Sequence, residues 1–301
     1  MFFSSASNFE WVLFSALALG VAAGMVGTLS YWKKQSLMSD ALAHAALPGV
    51  VIAFLLTGEK NLPILILGAA ITALLGAFVI QGIQANSRLT SDTSMGIVLS
   101  SFFGLGLMLL TITNRVAAGS QSGLDSFIFG QAASMVRNDV IVTTVLATVI
   151  VLAMVVPFKE WKLYLFDPGF ARGLGLSSRV MSSFYTLLLV LTIVVGIQAV
   201  GVILIAALLI IPSTSARYWT HSFSKMMFLS ALFGGFSGIA GTYVSSLGAG
   251  WPTGPFMVLI AAVLFIVSMV FGAEKGLLIQ HLQHRRQKIR VSTAVKEVRQ
   301  Q

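Results

Sequence analysis

No cysteine occurs anywhere in the 301 residues, and only ten residues carry a negative charge. The first absence excludes a disulfide framework and any thiolate metal site, and it leaves the compartment open. The second belongs to a wider scarcity: charged residues make up 10% of the chain, against about 25% in a soluble domain. Also missing are an HExxH pair, a CxxC pair and a GxxxxGK[ST] phosphate loop. Zinc-protease, dithiol and phosphate-loop ATPase chemistries therefore have no residues to carry them. The opening "MFFSSASNFE" lacks the basic start of a cleavable signal, so the first apolar run is expected to remain as a span.

What is present is apolar. Hydrophobic residues make up 56% of the chain, and the mean hydropathy is +0.90. A soluble fold of this size cannot hide so much apolar surface, so lipid must be the solvent for most of it. The expected class is an all-α polytopic membrane protein. Candidate spans fall near 11–32, 37–57, 62–83, 93–113, 140–157, 182–199, 200–216, 226–247 and 254–272. The sixth and seventh form one run broken only by "VVGIQAVGV", so the count is eight or nine. Residues 1–274 read as one membrane domain and 275–301 as a basic tail beside anionic headgroups.

The net charge of +9 would suggest a nucleic-acid partner in a soluble protein. Here the basic residues fill gaps between apolar runs, which is a topology signal and not a nucleic-acid one. Lys33, Lys34, Arg88, Lys159, Lys162, Arg172, Arg179, Arg217, Lys225 and the tail "HLQHRRQKIR" all fall on one side of an alternating path. The loops "TGEKNLP", "VGIQAVG" and "SLGAGWPTGP" carry only Lys60. Nine spans with the amino terminus outside and the carboxyl terminus inside satisfy this pattern. The 114–139 connection falls outside on that path, although it holds Arg115 and Arg137. Gly20 with Gly24, and Gly234 with Gly238, have the spacing of close helix contacts.

Two polar features stand out. In "LMSDALAHAALPGVVIAFLLTG", Asp40 and His44 lie four residues apart and share a helix face. An aspartate deep in a spanning helix costs about 2.5–3.5 kcal/mol on insertion scales and usually meets a cavity or a partner. The pair is either a mutual hydrogen bond that stabilises the bundle or a cation site of carboxylate oxygen and imidazole nitrogen. Pro48 should bend this helix and free a nearby carbonyl. Two ligands alone hold a metal poorly. Two copies about a two-fold axis would supply four, a mixed oxygen and nitrogen set suited to divalent manganese, zinc or iron. The other histidines, His221, His281 and His284, fall in predicted cytoplasmic segments. An intramembrane enzyme would need a third ligand and a general base.

The second feature is "FDPGFARGLGLSSR" in the loop 157–182. Asp167 has the chemistry of an N-cap and Pro168 that of a first helical residue, followed by Phe170, Ala171 and Leu174. It is either an ordinary loop helix or one that docks another subunit.

Several stretches together resemble the permease subunits of metal-importing ABC (ATP-binding-cassette) transporters of the manganese, zinc and iron family. "SDALAHAALPG" is similar to the second-helix motif, and "SRLTSDTSMGIVLSSFFGLGLMLL" to the segment around the fourth helix. "FDPGFARGLGL" resembles the coupling helix, over about 166–176. "QAVGVILIAALLIIPSTSAR" and "PTGP" resemble the carboxyl-terminal half. "HAALPG" and "GLDSFIFGQAAS" are nearer the manganese-type branch, while Ser39 and Ala43 stand where glycine and serine are usual.

The resemblance implies a permease dimer, of one chain or of two related ones, in a bacterial plasma membrane. It implies two ATPase subunits inside and an extracellular or periplasmic metal-binding protein outside. Asp40 and His44 would then be metal ligands, and Asp167, Phe170, Ala171 and Leu174 the ATPase-coupling residues. No cofactor is permanently bound on this reading; the metal is cargo, and ATP is hydrolysed by a partner. Asp92, Gln198 and Pro212 are further pathway or hinge candidates. An ATPase-independent secondary transporter or channel is the alternative.

Overall fold

The computed structural model describes residues 8–58, 61–116, 137–248 and 251–280. Every regular element among them is a helix, in keeping with the all-α expectation. In order they are α1 (Asn8–Trp32), α2 (Ser36–Thr57), α3 (Leu62–Asn86), α4 (Ser91–Val116), α5 (Arg137–Val155) and α6 (Phe158–Phe166). There follow α7 (Pro168–Gly173), α8 (Ser178–Val200), α9 (Val202–Arg217), α10 (Phe223–Ser246) and α11 (Thr253–Phe271). Eight are long and apolar enough to cross a membrane, while α9 is apolar but only 16 residues long. Most of the 114–139 connection and of the tail lies outside the described residues.

The run expected to hold two spans does break. Gly201 sits at φ 96° and ψ 158°, a backbone region open in practice only to glycine. There α8 ends and α9 turns back on it, with Gly196 against Ile205 across the reversal. α9 finishes at Arg217, whose guanidinium lies 5.4 Å above the ring of Trp32 at the end of α1. Among the described residues the chain therefore traverses the bundle nine times in alternating directions, and α9 is the short traverse. One end collects Lys33, Arg88, Arg179, Arg217 and Lys275 and is called the basic end here. Arg137 lies at the opposite end, 5.7 Å over the ring of Trp11. The alternation of loop charge foresees this arrangement.

Helices α1, α2 and α8 form the centre, and α4, α5 and α11 lie mostly at the periphery. Glycine decides which pairs approach most closely. A Cβ added at Gly20 would overlap the carbonyl of Gly234, and one at Gly24 the carbonyl of Ser230. Ser230 Oγ donates to the Gly24 carbonyl at 2.6 Å. The two glycine pairs legible in the sequence are thus halves of one interface, α1 on α10. Gly49 meets Gly68 in the same way where α2 crosses α3. These are backbone contacts that only a missing side chain permits.

Two outcomes follow from this packing. Gly24→Val forces α1 from α10 and removes the Ser230 bond, a loss of about 1–3 kcal/mol or more for overpacking. Gly82, inside α3, has open space where a Cβ would stand. Gly82→Ala should gain roughly 0.5–1 kcal/mol from helix propensity. Thermal unfolding in detergent should order the three proteins as Gly82→Ala, wild type, Gly24→Val.

Orientation is tested by labelling. The native chain has no cysteine, so single cysteines report cleanly. Leu247 is 68% exposed at the end opposite the basic residues, whereas a Cβ at the adjoining Gly248 would press on the Trp251 ring. Leu247→Cys should react with an impermeant thiol reagent added outside intact cells, and Arg172→Cys should not. The reverse pattern would invert the topology.

Candidate functional site

Helix α2 runs through Pro48 without interruption from Ser36 to Thr57, and closes at Gly58 with φ 66°. Pro48 has no N–H to give, so the His44 carbonyl loses its intrahelical partner. Neighbouring helices clasp α2 through small residues. Gly68 and Gly76 of α3 lie against Gly49 and Ala45, and Gly106 of α4 lies against Leu47. Fourteen α2 residues are buried in consequence. Asp40 and His44 interrupt this apolar cylinder about 6 and 12 Å along the axis from Ser36.

His44 Nε2 stands 3.5 Å from Asp40 Oδ1, with the imidazole 13% and the carboxylate 37% exposed. That separation exceeds the roughly 2.7–3.2 Å of an N–H···O hydrogen bond. The ring is held by an edge-on contact with Phe103 of α4, centroids 4.6 Å apart at 68°. Nδ1 is buried and has no hydrogen-bond partner. At that distance the pair is an i,i+4 ion-pair contact without a short hydrogen bond. Two ligand atoms about 2.1 Å from one ion at a tetrahedral angle would be about 3.4 Å apart, which the 3.5 Å gap matches. Among the described residues no group of three or more histidine, aspartate or glutamate side chains could hold a metal ion. One copy of the chain offers two ligands.

Ser39 and Ala43, the departures from the family motif, are fully buried, and the Ser39 hydroxyl donates to the Ser36 carbonyl at 2.7 Å. Its polar group is used within its own helix. Asp92 is exposed in the first turn of α4, and Pro212 is buried inside α9. Gln198 buries an unpartnered Oε1 three residues before Gly201. His221 pairs with Glu274 at 3.1 Å near the basic end, while His281 and His284 lie outside the described residues.

At the basic end the helix expected over about 166–176 is shorter and divided. Asp167, at φ −141° and ψ 75°, separates α6 from α7, and α7 has six residues. Asp167 does cap α7: its Oδ1 accepts the Phe170 N–H at 2.9 Å, with Pro168 in the first turn. Phe170 and Leu174 are 58% and 61% exposed, the latter as the residue that ends the helix. Together they present a small apolar surface. Ala171 differs from the expectation. It is 1% exposed, because adjacent residues of a helix point about 100° apart, and with Phe170 turned outward Ala171 packs inward. It holds α7 to the bundle.

Sequence reading passed over α6. Its Trp161 is fully buried and stacks on Phe184 of α8 with centroids 5.5 Å apart. Phe158 stacks on Phe223 of α10 at 5.6 Å, and Phe166 meets Trp32 at 4.9 Å. The signal was the aromatic spacing in "FKEWKLYLF", which a short charged loop segment disguises.

Comparison with known proteins shows the family. The family model described as the ABC 3 transport family matches residues 5–272. The manganese transport system membrane protein MntC of Bacillus subtilis (strain 168) is 49% identical over 270 residues, which is 90% of this chain and 62% of that relative. The zinc transport system membrane protein TroC of Treponema pallidum (strain Nichols) is 42% identical over 275 residues, 91% of this chain and 92% of TroC. Among solved structures, PsaBC from Streptococcus pneumoniae in complex with Fab superposes with a TM-score of 0.78 at 32% identity. The match covers 90% of this chain and 94% of that one. These relatives favour the permease expectation over an ATPase-independent carrier or an enzyme. With the family model matched over residues 5–272 and a relative 42% identical along nearly its whole length, the chain belongs to the ABC 3 transport family, as a membrane permease subunit.

Proposed function

We propose that the chain forms half of the membrane pathway of an ATP-driven importer of divalent transition metals, with manganese the preferred cargo. A second permease copy completes the metal site, so that two Asp40 carboxylates and two His44 imidazoles meet the ion in transit. A separate ATPase docks on Phe170 and Leu174 at the cytoplasmic side of a bacterial plasma membrane. An extracellular or periplasmic protein delivers the metal. The observation that carries this reading is the convergence of Asp40 Oδ1 and His44 Nε2 at 3.5 Å, close to ligand spacing and beyond hydrogen-bond length. The names of the relatives support metal as cargo, manganese for one and zinc for another.

Uptake in whole cells, measured element by element, tests the site. Asp40→Asn keeps shape and removes the charge that balances a divalent ion; His44→Leu keeps bulk and removes the nitrogen. Each should abolish manganese uptake while expression and assembly remain. A structural hydrogen bond predicts otherwise. Losing one partner would destabilise the bundle by roughly 1–3 kcal/mol, and an apolar double change would recover part of that. Recovery of uptake in the Asp40→Leu, His44→Leu double variant would end the metal-site reading.

The docking surface is tested separately. Phe170→Ala with Leu174→Ala removes the exposed apolar pair and leaves the Asp167 cap and the buried Ala171 in place. Truncating anchors of this kind can cost a complex about 2 kcal/mol or more. The variant should insert and dimerise normally, yet retain far less ATPase on purification. Unchanged co-purification and transport would return α7 to an ordinary surface helix.

A further inference from the structure

Helix α6, which leads into the docking helix, is held by two consecutive residues at the end of α1. Trp32 meets Phe166 edge-on at 4.9 Å. The Lys33 ammonium lies 3.3 Å from the Tyr164 hydroxyl and 3.2 Å from Ser182 Oγ of α8. It also sits over the rings of Tyr185 and Tyr164, at 4.3 and 5.4 Å from their centroids. Tyr185 is fully buried and donates to Ser30 Oγ at 2.9 Å, which returns the contact to α1. Among the described residues no carboxylate is paired with Lys33.

The position of this cage matters as much as its chemistry. Lys33 begins the turn that joins α1 to α2, and the turn is stiff. Lys34 is held at φ 56°, and the Gln35 N–H bonds back to the Ser30 carbonyl at 3.0 Å. Seven residues beyond Lys33 lies Asp40. On the other side, Tyr164 stands three residues before Asp167, the cap of α7. Lys33 is thus the point where the lead-in to the docking helix touches the lead-in to the polar helix.

We propose that Lys33 is a positioning residue that pins α6 to the α1–α2 turn and so transmits movement of the docked ATPase to the helix bearing Asp40 and His44. This rests on the ATP-driven reading above. The physics suits a pin that must also let go. A carboxylate partner would lock the ammonium in a low-dielectric site, whereas aromatic faces and hydroxyls hold it without a full countercharge. Burial pushes Lys33 down to about 8, the mark of a cation held with little compensation.

The test uses the complete complex, permease with ATPase, in proteoliposomes, with manganese as the probe. Manganese uptake, ATP hydrolysis and the manganese KM are measured together. Lys33→Met keeps the stem and removes the charge. Uptake per ATP should fall about tenfold, the scale of a lost cation–π contact with its hydrogen bonds. ATP hydrolysis and the manganese KM should stay within about twofold, because neither nucleotide nor metal ligands have changed. Lys33→Arg should restore much of the ratio, since a guanidinium can also stack and donate. Tyr164→Phe with Ser182→Ala strips two oxygens from the ammonium, leaves Lys33 and both rings, and should lower the ratio without touching α1.

A merely structural Lys33 predicts uptake and hydrolysis falling together with the yield of folded complex, and that result would overturn the inference. So would an unchanged ratio in Lys33→Met and in the Tyr164, Ser182 variant. Wild-type vesicles lacking ATP-dependent uptake would instead overturn the proposed function, and this inference with it.

Discussion

Lipid tails are as apolar as leucine, so two helices in a bilayer gain little by hiding hydrophobic surface from their solvent. What holds this bundle is the close approach of backbones where side chains are missing. Gly20 and Gly24 on Gly234 and Ser230, Gly49 on Gly68, Gly27 on Leu209 and Gly254 on Val200 are successive examples. At each the partner's carbonyl occupies the place of a Cβ. Dispersion between such surfaces falls steeply with a gap of even half an ångström, so these contacts fix position sharply. The remaining architecture is arranged around them: α1 can be central because α10 lies flush on it, and α2 because α3 does.

That constraint gives the polar pair its meaning. Asp40 and His44 are carried on a helix clasped by glycine and alanine, and Phe103 sets the imidazole edge-on. Asp40 Oδ1 and His44 Nε2 stand 3.5 Å apart on that helix. At the basic end a different chemistry prevails, since Phe158, Trp161 and Phe166 join α6 to three helices through ring contacts with Trp32 of α1, Phe184 of α8 and Phe223 of α10. The bundle is held by backbone approach around the polar pair and by stacked and edge-on rings around α6.

Much of this was legible in the sequence, and the parts that were not share a reason. The spans, the glycine pairs, the break near Gly201 and the Asp167 cap all rest on local rules of length, spacing or backbone preference. The inward face of Ala171 depends on which side of a six-residue helix meets the bundle, and no periodicity can be read from so few residues. Lys33 looked like one more loop cation in the charge count. Its partners stand 131 and 149 residues away, at Tyr164 and Ser182, and only the folded chain brings them together. The aromatic spacing of α6 was present but lay beside two lysines and a glutamate, which suggested solvent.

The break at Gly201 has a bearing on the bilayer. A helix of 16 residues spans about 24 Å, short of the roughly 30 Å hydrocarbon thickness. With Arg217 at one headgroup layer, the reversal at Gly201 lies several ångströms beneath the other. Val200 and Val202 are almost wholly buried there, and Val200 rests on Gly254, so the non-helical backbone is enclosed by protein and not by acyl chains. Helices α1, α8, α10 and α11 absorb the thickness mismatch on behalf of α9. The Gln198 carboxamide oxygen is buried without a hydrogen-bond partner three residues before that reversal.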